Sequence, residues 1–238
     1  MDRRVITREL VAAVGRARTL EILGEFLTEA RRARIEAVLG ARLVSVAAAI
    51  EDPYDPHNAA AIVRTAEAVG LADVHAITHK GPVLRGRRTA RGAFQWVRRH
   101  HHRGLEPFLA AVRARGMRIA AACVEDGMPL ALSELPVDRP ICVLLGNEHS
   151  GLSEEARAAA DLRFQIPMHG MVESLNVSVA AAVALFDVGA RRRRELGRDG
   201  DLDPEERADL RVSWYARSVD ERLLAALARK HLAAQGST

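Results

Sequence analysis

Aromatic side chains make up only 4 % of this 238-residue sequence. With alanine abundant in their place, the core is expected to be helix on sheet, built from Ala, Val, Leu and Ile. Long apolar runs are missing as well. No stretch approaches the ~20 residues that cross a bilayer, and no apolar segment follows the basic residues near Met1, so no cleaved secretory signal is expected. Cysteine is nearly absent: Cys123 and Cys142 stand in apolar runs without metal-ligand spacing. They are expected to be buried, reduced thiols of a cytoplasmic protein. His100, His101 and His102 are consecutive, yet no Cys or carboxylate pattern accompanies them, and no metal is expected. What is present excludes a wholly disordered chain, because 48 % of the residues are hydrophobic. That length can bury one substantial core and leave terminal extensions.

The net charge of +4 is modest, but it is concentrated. Arg31-Arg32-Ala33-Arg34, Arg85-Gly86-Arg87-Arg88, Arg98-Arg99-His100-His101-His102-Arg103 and Arg191-Arg192-Arg193-Arg194 carry much of it. Arginine clusters of this kind suit a phosphate backbone, since each cationic contact releases condensed counterions. A solvated helix face is the alternative for any one cluster; together they suit a phosphate-bearing partner, with Arg31, Arg32 and Arg34 among its expected contacts.

Strand-like and helix-like segments alternate. Strands are expected over 42–50, 74–78, 118–124, 141–145 and 162–166. Helices are expected from Asn58, taken as an N-cap, to about Val69, over 106–115, from a Ser153 cap to Ala160, and from Asn176 to about Glu195. This alternation predicts an α/β fold, a parallel sheet with helices on both faces. Ligands of such sheets sit at the carboxyl ends of strands. Outside that core, Leu10, Val11, Val14, Leu20, Leu23 and Leu27 follow a roughly helical spacing, and a second helical segment is expected over 219–232.

Three segments follow expected strand ends and pair a turn with polar residues: Asn58 to Arg64, Gly146-Asn147-Glu148, and Ser174-Leu175-Asn176. In order and residue type they resemble the SpoU or TrmH family of SPOUT RNA 2'-O-methyltransferases, from about Arg31 to about Arg192. The resemblance implies a C-terminal deep trefoil knot in which S-adenosylmethionine binds, held by backbone near Cys123, Gly146, Ile166 and Leu175. It implies that Arg64 meets the ribose 2'-hydroxyl. Asn58, nearly two helical turns earlier, is expected to share that site. Glu148, Ser174 and Asn176 complete the catalytic set, and Arg34 matches a basic residue that assists there. It further implies a homodimer acting on tRNA, with the guanosine at position 18 of the D-loop as the expected target. A ribosomal RNA or another tRNA nucleotide is the alternative. The expected organisation is an RNA-binding helical extension over 1–40, a catalytic core over 41–195 and a helical tail over 196–238.

Overall fold

The computed structural model describes residues 2–79, 92–124 and 129–235. The Arg85-Gly86-Arg87-Arg88 cluster lies outside them. The chain forms two compact units, one of residues 42–201 and one that joins residues 1–41 to residues 202–238.

The larger unit is built on a seven-stranded sheet in the order β3-β2-β1-β6-β4-β7-β5. Its strands are β1 (Leu43–Glu51), β2 (Leu71–Thr78), β3 (Arg98–Arg103), β4 (Arg118–Ala122), β5 (Leu130–Ala131), β6 (Ile141–Leu145) and β7 (Leu162–Gln165). Every pairing is parallel. Alternation along the central strands sends successive side chains to opposite faces. Ala48, Ile50, Val143 and Leu145 pack with Ile62, Val63 and Ala66 of α3 (Pro56–Val69) and with Ala184, Leu185 and Val188 of α6 (Val177–Leu196). Ala47, Ala49, Cys142 and Leu144 pack instead with Phe108, Leu109 and Val112 of α4 (Leu105–Ala114) and Ala156 of α5 (Glu154–Ala159). The parallel sheet covered on both faces is as expected. Burial pushes the Cys142 thiol up, consistent with an inert core residue.

Three local expectations change. Asp55, not Asn58, caps α3: its side chain accepts from the His57 N–H, and Pro56 begins the helix, where its missing N–H costs nothing. Asn58 is thereby freed for other partners. The second change is β3, which lacks any apolar alternation and forms on the edge of the sheet. Its polar side chains are matched to β2 in register, Arg98 to Asp73 and His100 to His75. Arg98 grips the buried Asp73 carboxylate through two N–H groups at 2.8 and 2.7 Å, and His100 joins it at 2.7 Å. His75 and His102 share a 3.0 Å hydrogen bond beside Phe108. The arginine and histidine run is therefore largely a structural element.

The third change concerns Arg191 to Arg194. Arg191 binds Asp187 and the Leu132 carbonyl, and the buried Arg192 binds Ser45 and the Val137 carbonyl. Arg193 binds the Val69 and Asp199 carbonyls. These guanidiniums tie α6 to neighbouring strands and loops, leaving Arg194 as the exposed member.

The histidine cluster makes a stability prediction. Burial above all, with His100 adding to it and Asp73 opposing, holds the His75 imidazole down to about 3. Burial alone would raise Asp73, but hydrogen bonds from His100 and Arg98 outweigh it and hold the carboxylate well below its usual range. Both folded values lie below the unfolded ones. The His75 contribution is thus complete above about pH 6.5 and is lost as pH falls from there toward about 3, while that of Asp73 is lost only in stronger acid. Thermal melts should show Tm falling as pH drops through this window, with His75→Phe flattening the slope. A Tm that is level from pH 6.5 to 4 would contradict the assignment.

The smaller unit contains α1 (Arg3–Gly24), α2 (Glu29–Gly40), α7 (Pro204–Ser218) and α8 (Glu221–Gln235). α1 packs on α7 and α8, and α2 on α7. Leu10, Leu23 and Leu27 are buried as their spacing suggested, but Gly15 breaks the helix at φ 78°, so the stripe changes direction there. Glu36 of α2 takes Arg207 at 3.3 Å and also pairs with Arg211, joining residues from both ends of the chain.

Candidate active site

β6 delivers the first part of the site. Beyond Leu145 the chain folds back at once, with paired hydrogen bonds between Asn147 and Gly151 at 3.0 and 3.2 Å. Gly146 makes this possible, because a Cβ there would lie 2.1 to 2.4 Å from backbone atoms of Gly151 and Leu152. The requirement is the turn's own closure. The Asn147 side chain organises the same turn, accepting from the N–H groups of His149 and Ser150 at 2.9 and 2.8 Å. Glu148 is left as the residue the turn presents.

Its carboxylate is held at both oxygens. Oε1 accepts from Asn58 Nδ2 at 2.7 Å, and Oε2 from the Tyr54 N–H at 3.3 Å. Asn176 then completes a chain of three side chains: its Nδ2 donates to Asn58 Oδ1 at 3.2 Å, while its Oδ1 caps α6 through the Ser178 N–H at 2.9 Å. Asn176 is both helix cap and site residue. Glu148 and Asn176 stand 90 and 118 residues beyond Asn58 in sequence, yet one hydrogen-bonded row joins them.

A cavity of about 840 Å³ opens beside this row at the ends of β4, β6 and β7. Its walls include Cys123, Gly146, Ile166 and Leu175, together with Glu148, Ser174 and Asn176. The volume falls within the range of small-molecule and cofactor sites, roughly 300–1,000 Å³. Asn58 and Arg64 are not part of that wall. Arg64 projects about 120° around α3 from Asn58, since six residues turn a helix by about 600°. Nearly two turns do not bring the two onto one face, and Arg64 is exposed, with no hydrogen bond or ion pair to a described residue.

One buried carboxylate was not anticipated from the sequence. Glu51, at the end of β1, accepts from the Ser153 N–H and hydroxyl at 2.8 and 2.7 Å and lies 3.2 Å from His79 Nε2. It fixes the start of α5 and hence the far end of the 146–153 turn. Its proximity to the strand end before Asp52-Pro53 was the available signal.

Among the described residues, no helix is long and apolar enough to cross a membrane, and no group of three potential ligands is placed to hold a metal ion.

Strand ends that open together onto one cavity of cofactor size place the chain among the α/β proteins that bind ligands at the carboxyl edge of a parallel sheet. Within that class it belongs to the SpoU rRNA methylase family, whose model matches residues 45–186. The family expected from the polar segments is thus shown. A tRNA (guanosine(18)-2'-O)-methyltransferase of Thermus thermophilus is 41 % identical over 192 residues, which cover 80 % of this chain and 98 % of the relative. The crystal structure of the Aquifex aeolicus TrmH/SpoU tRNA modifying enzyme aligns with a TM-score of 0.72 at 29 % identity, covering 81 % of this chain and 98 % of that one. An AdoMet-bound rRNA methyltransferase from Sinorhizobium meliloti aligns with a TM-score of 0.55 at 26 % identity, covering 63 % of this chain and 56 % of that one.

Proposed function

We propose that this protein transfers a methyl group from S-adenosylmethionine to a ribose 2'-hydroxyl of tRNA, with the D-loop guanosine at position 18 as its target. The observation that carries this reading is the hydrogen-bonded row of Asn58, Glu148 and Asn176 at the cavity edge. The nucleotide rests on the likeness to the Thermus thermophilus enzyme. Mapping 2'-O-methylated riboses in tRNA after incubation with the protein and labelled cofactor tests both, and absence of methyl transfer to any tRNA would overturn the reading.

The cavity suits the cofactor in size, and the backbone at Cys123, Gly146, Ile166 and Leu175 would hold its adenosine and methionine parts. The carboxylates of Glu148 and Glu173 in the wall complement a sulfonium. When bound, the cofactor supplies an electrophilic methyl group. The protein's task lies at the hydroxyl, which is a weak nucleophile and must be positioned and stabilised as negative charge develops. Arg64 is assigned that charge-stabilising role, with the proton leaving to water or an RNA phosphate, because a guanidinium stays protonated. Ser174 and Asn176 position the ribose.

The deep trefoil knot belongs to the same reading. It is supported by the placement of β6 between β1 and β4, both earlier in the chain, and by the 166–176 segment, which returns from β7 to start a helix packed against α3 and β1. A homodimer is supported by α6. Val179 (47 % exposed), Val183 and Phe186 (57 %) form an apolar stripe at i, i+4 and i+7 on its outer side. Because Arg64 stands outside the wall of its own cavity, the reading places it in a site completed by a second copy.

The helical unit would grip the RNA. Arg32 and Arg34 are exposed on α2, whereas Arg31 donates to Ser218 at 3.2 Å and serves partly within the unit. Reversing Arg32 and Arg34 to glutamate should weaken tRNA binding and flatten its dependence on salt, each lost phosphate contact lowering the slope by about 0.9. Cofactor affinity should hold, since the cavity lies in the other unit. Unchanged affinity and slope would place the RNA surface elsewhere.

A further inference from the structure

We propose that Tyr54, with His149, forms a stacking platform for the base of the nucleotide being methylated. Tyr54 is 74 % exposed, and the other tyrosine, Tyr215, is buried. It sits in the short connection from β1 to α3, between Pro53 and Pro56, which restrict the backbone on either side. Its position is set by its backbone, because the Tyr54 N–H donates to Glu148 at 3.3 Å. Tyr54 uses no side-chain atom for that bond, so the ring, apart from its edge-on contact with His149, can serve something outside the chain.

The ring stands beside the cavity wall, through His149. Its centroid lies 4.6 Å from that of His149, edge-on at 79°, and His149 itself lines the cavity next to Glu148. An edge-on contact occupies at most one ring's face and leaves the others open. His149 is exposed too, held by the turn that Asn147 organises.

Ribose geometry supplies the rest. A 2'-hydroxyl that enters beside Glu148 and Asn58 brings with it a base attached to the neighbouring carbon of the same sugar. That base must come to rest at the cavity mouth, within reach of the Tyr54 and His149 rings. Unpaired bases of RNA are commonly received on such rings, and a tyrosine fixed by its backbone contributes area at little entropic cost. The pair would therefore act on binding and placement of the acceptor nucleotide, without touching the methyl donor.

This inference rests on the methyltransferase reading above, and the experiment separates the two. Full-length wild-type protein, Tyr54→Ala, Tyr54→Phe and His149→Ala are assayed with labelled S-adenosylmethionine and unmodified tRNA. Cofactor affinity is measured on each by calorimetry. Tyr54→Ala should lower kcat/KM for tRNA about tenfold or more, the scale of one lost base stack, with cofactor affinity unchanged. His149→Ala should act in the same direction and more weakly, and Tyr54→Phe should recover most of the loss because it keeps the ring. The same tRNA carrying 2-aminopurine at the methylated position should be quenched on binding wild type and brighter with Tyr54→Ala. Wild-type kcat/KM and quenching in Tyr54→Ala would overturn the platform while leaving the methyltransferase reading intact. Parallel loss of cofactor affinity would overturn it in favour of a loop-holding role. An inactive wild-type protein would overturn the underlying reading, and the platform with it.

Discussion

Arg64→Ala is expected to lower methyl transfer by about two orders of magnitude or more, the loss found when a central charge-stabilising group is removed. Cofactor binding should persist, because Arg64 does not line the cavity. Arg64→Lys should restore little, since an ammonium lacks the planar fork that can hold a hydroxyl and a phosphate at once. The fold should be indifferent to either change: Arg64 is exposed and bonds to no described residue. Its distance from its own cavity adds a sharper test. Mixing Arg64→Ala protein with Asn176→Ala protein should regenerate activity if the site is completed across a dimer. Two inactive parents that stay inactive when co-expressed and shown to mix would refute that arrangement, and full activity of Arg64→Ala alone would remove the residue from the mechanism.

The second large effect is expected at Gly146. Even Gly146→Ala places a methyl group 2.1 Å from the Gly151 carbonyl carbon and 2.3 Å from the Leu152 nitrogen. Backbone cannot yield as a side-chain tip does, so the 146–151 turn must open, at a cost of about 1–3 kcal/mol or more. That turn is one wall of the cavity and carries Glu148. Cofactor affinity should fall by about tenfold to a hundredfold, corresponding to that cost, while the sheet persists by circular dichroism. Normal cofactor binding by this variant would show that the turn does not shape the pocket.

The three polar segments were legible in sequence because each follows a strand end and combines a turn with side chains that have no role in a core. Cys123, Gly146, Ile166 and Leu175, expected from the resemblance to hold the cofactor, lie along the wall of the cavity. What the sequence concealed were the partners. Asn58 looked like a cap because Asn is a good cap; only the structure shows Asp55 in that role and the Asn58 amide turned to Glu148. The strand Arg98–Arg103 was hidden because its side chains are polar; Arg98 and His100 are met by Asp73, and His102 by His75, about 25 residues earlier. Arg191, Arg192 and Arg193 read as a phosphate-binding run, since charge density is visible in a sequence and a distant carbonyl acceptor is not. Glu51 and Ser153 lie 102 residues apart, beyond the reach of any local pattern.

The helical unit is assembled from the first and last stretches of the chain. During synthesis, α1 and α2 emerge early, before α7 and α8 on which α1 packs and α7 on which α2 packs, and Leu10, Leu23 and Leu39 are buried in the finished unit. The larger unit can complete its sheet while these two helices wait. The part of the molecule assigned to gripping tRNA should therefore mature after the sheet, reaching its native form only once residues 202–238 have left the ribosome. For the same reason, removing either end alone does not delete half of the unit cleanly. It strands the apolar face of the other half in water, and a ribosome-bound or truncated chain should be more prone to aggregate than its intact catalytic sheet would suggest.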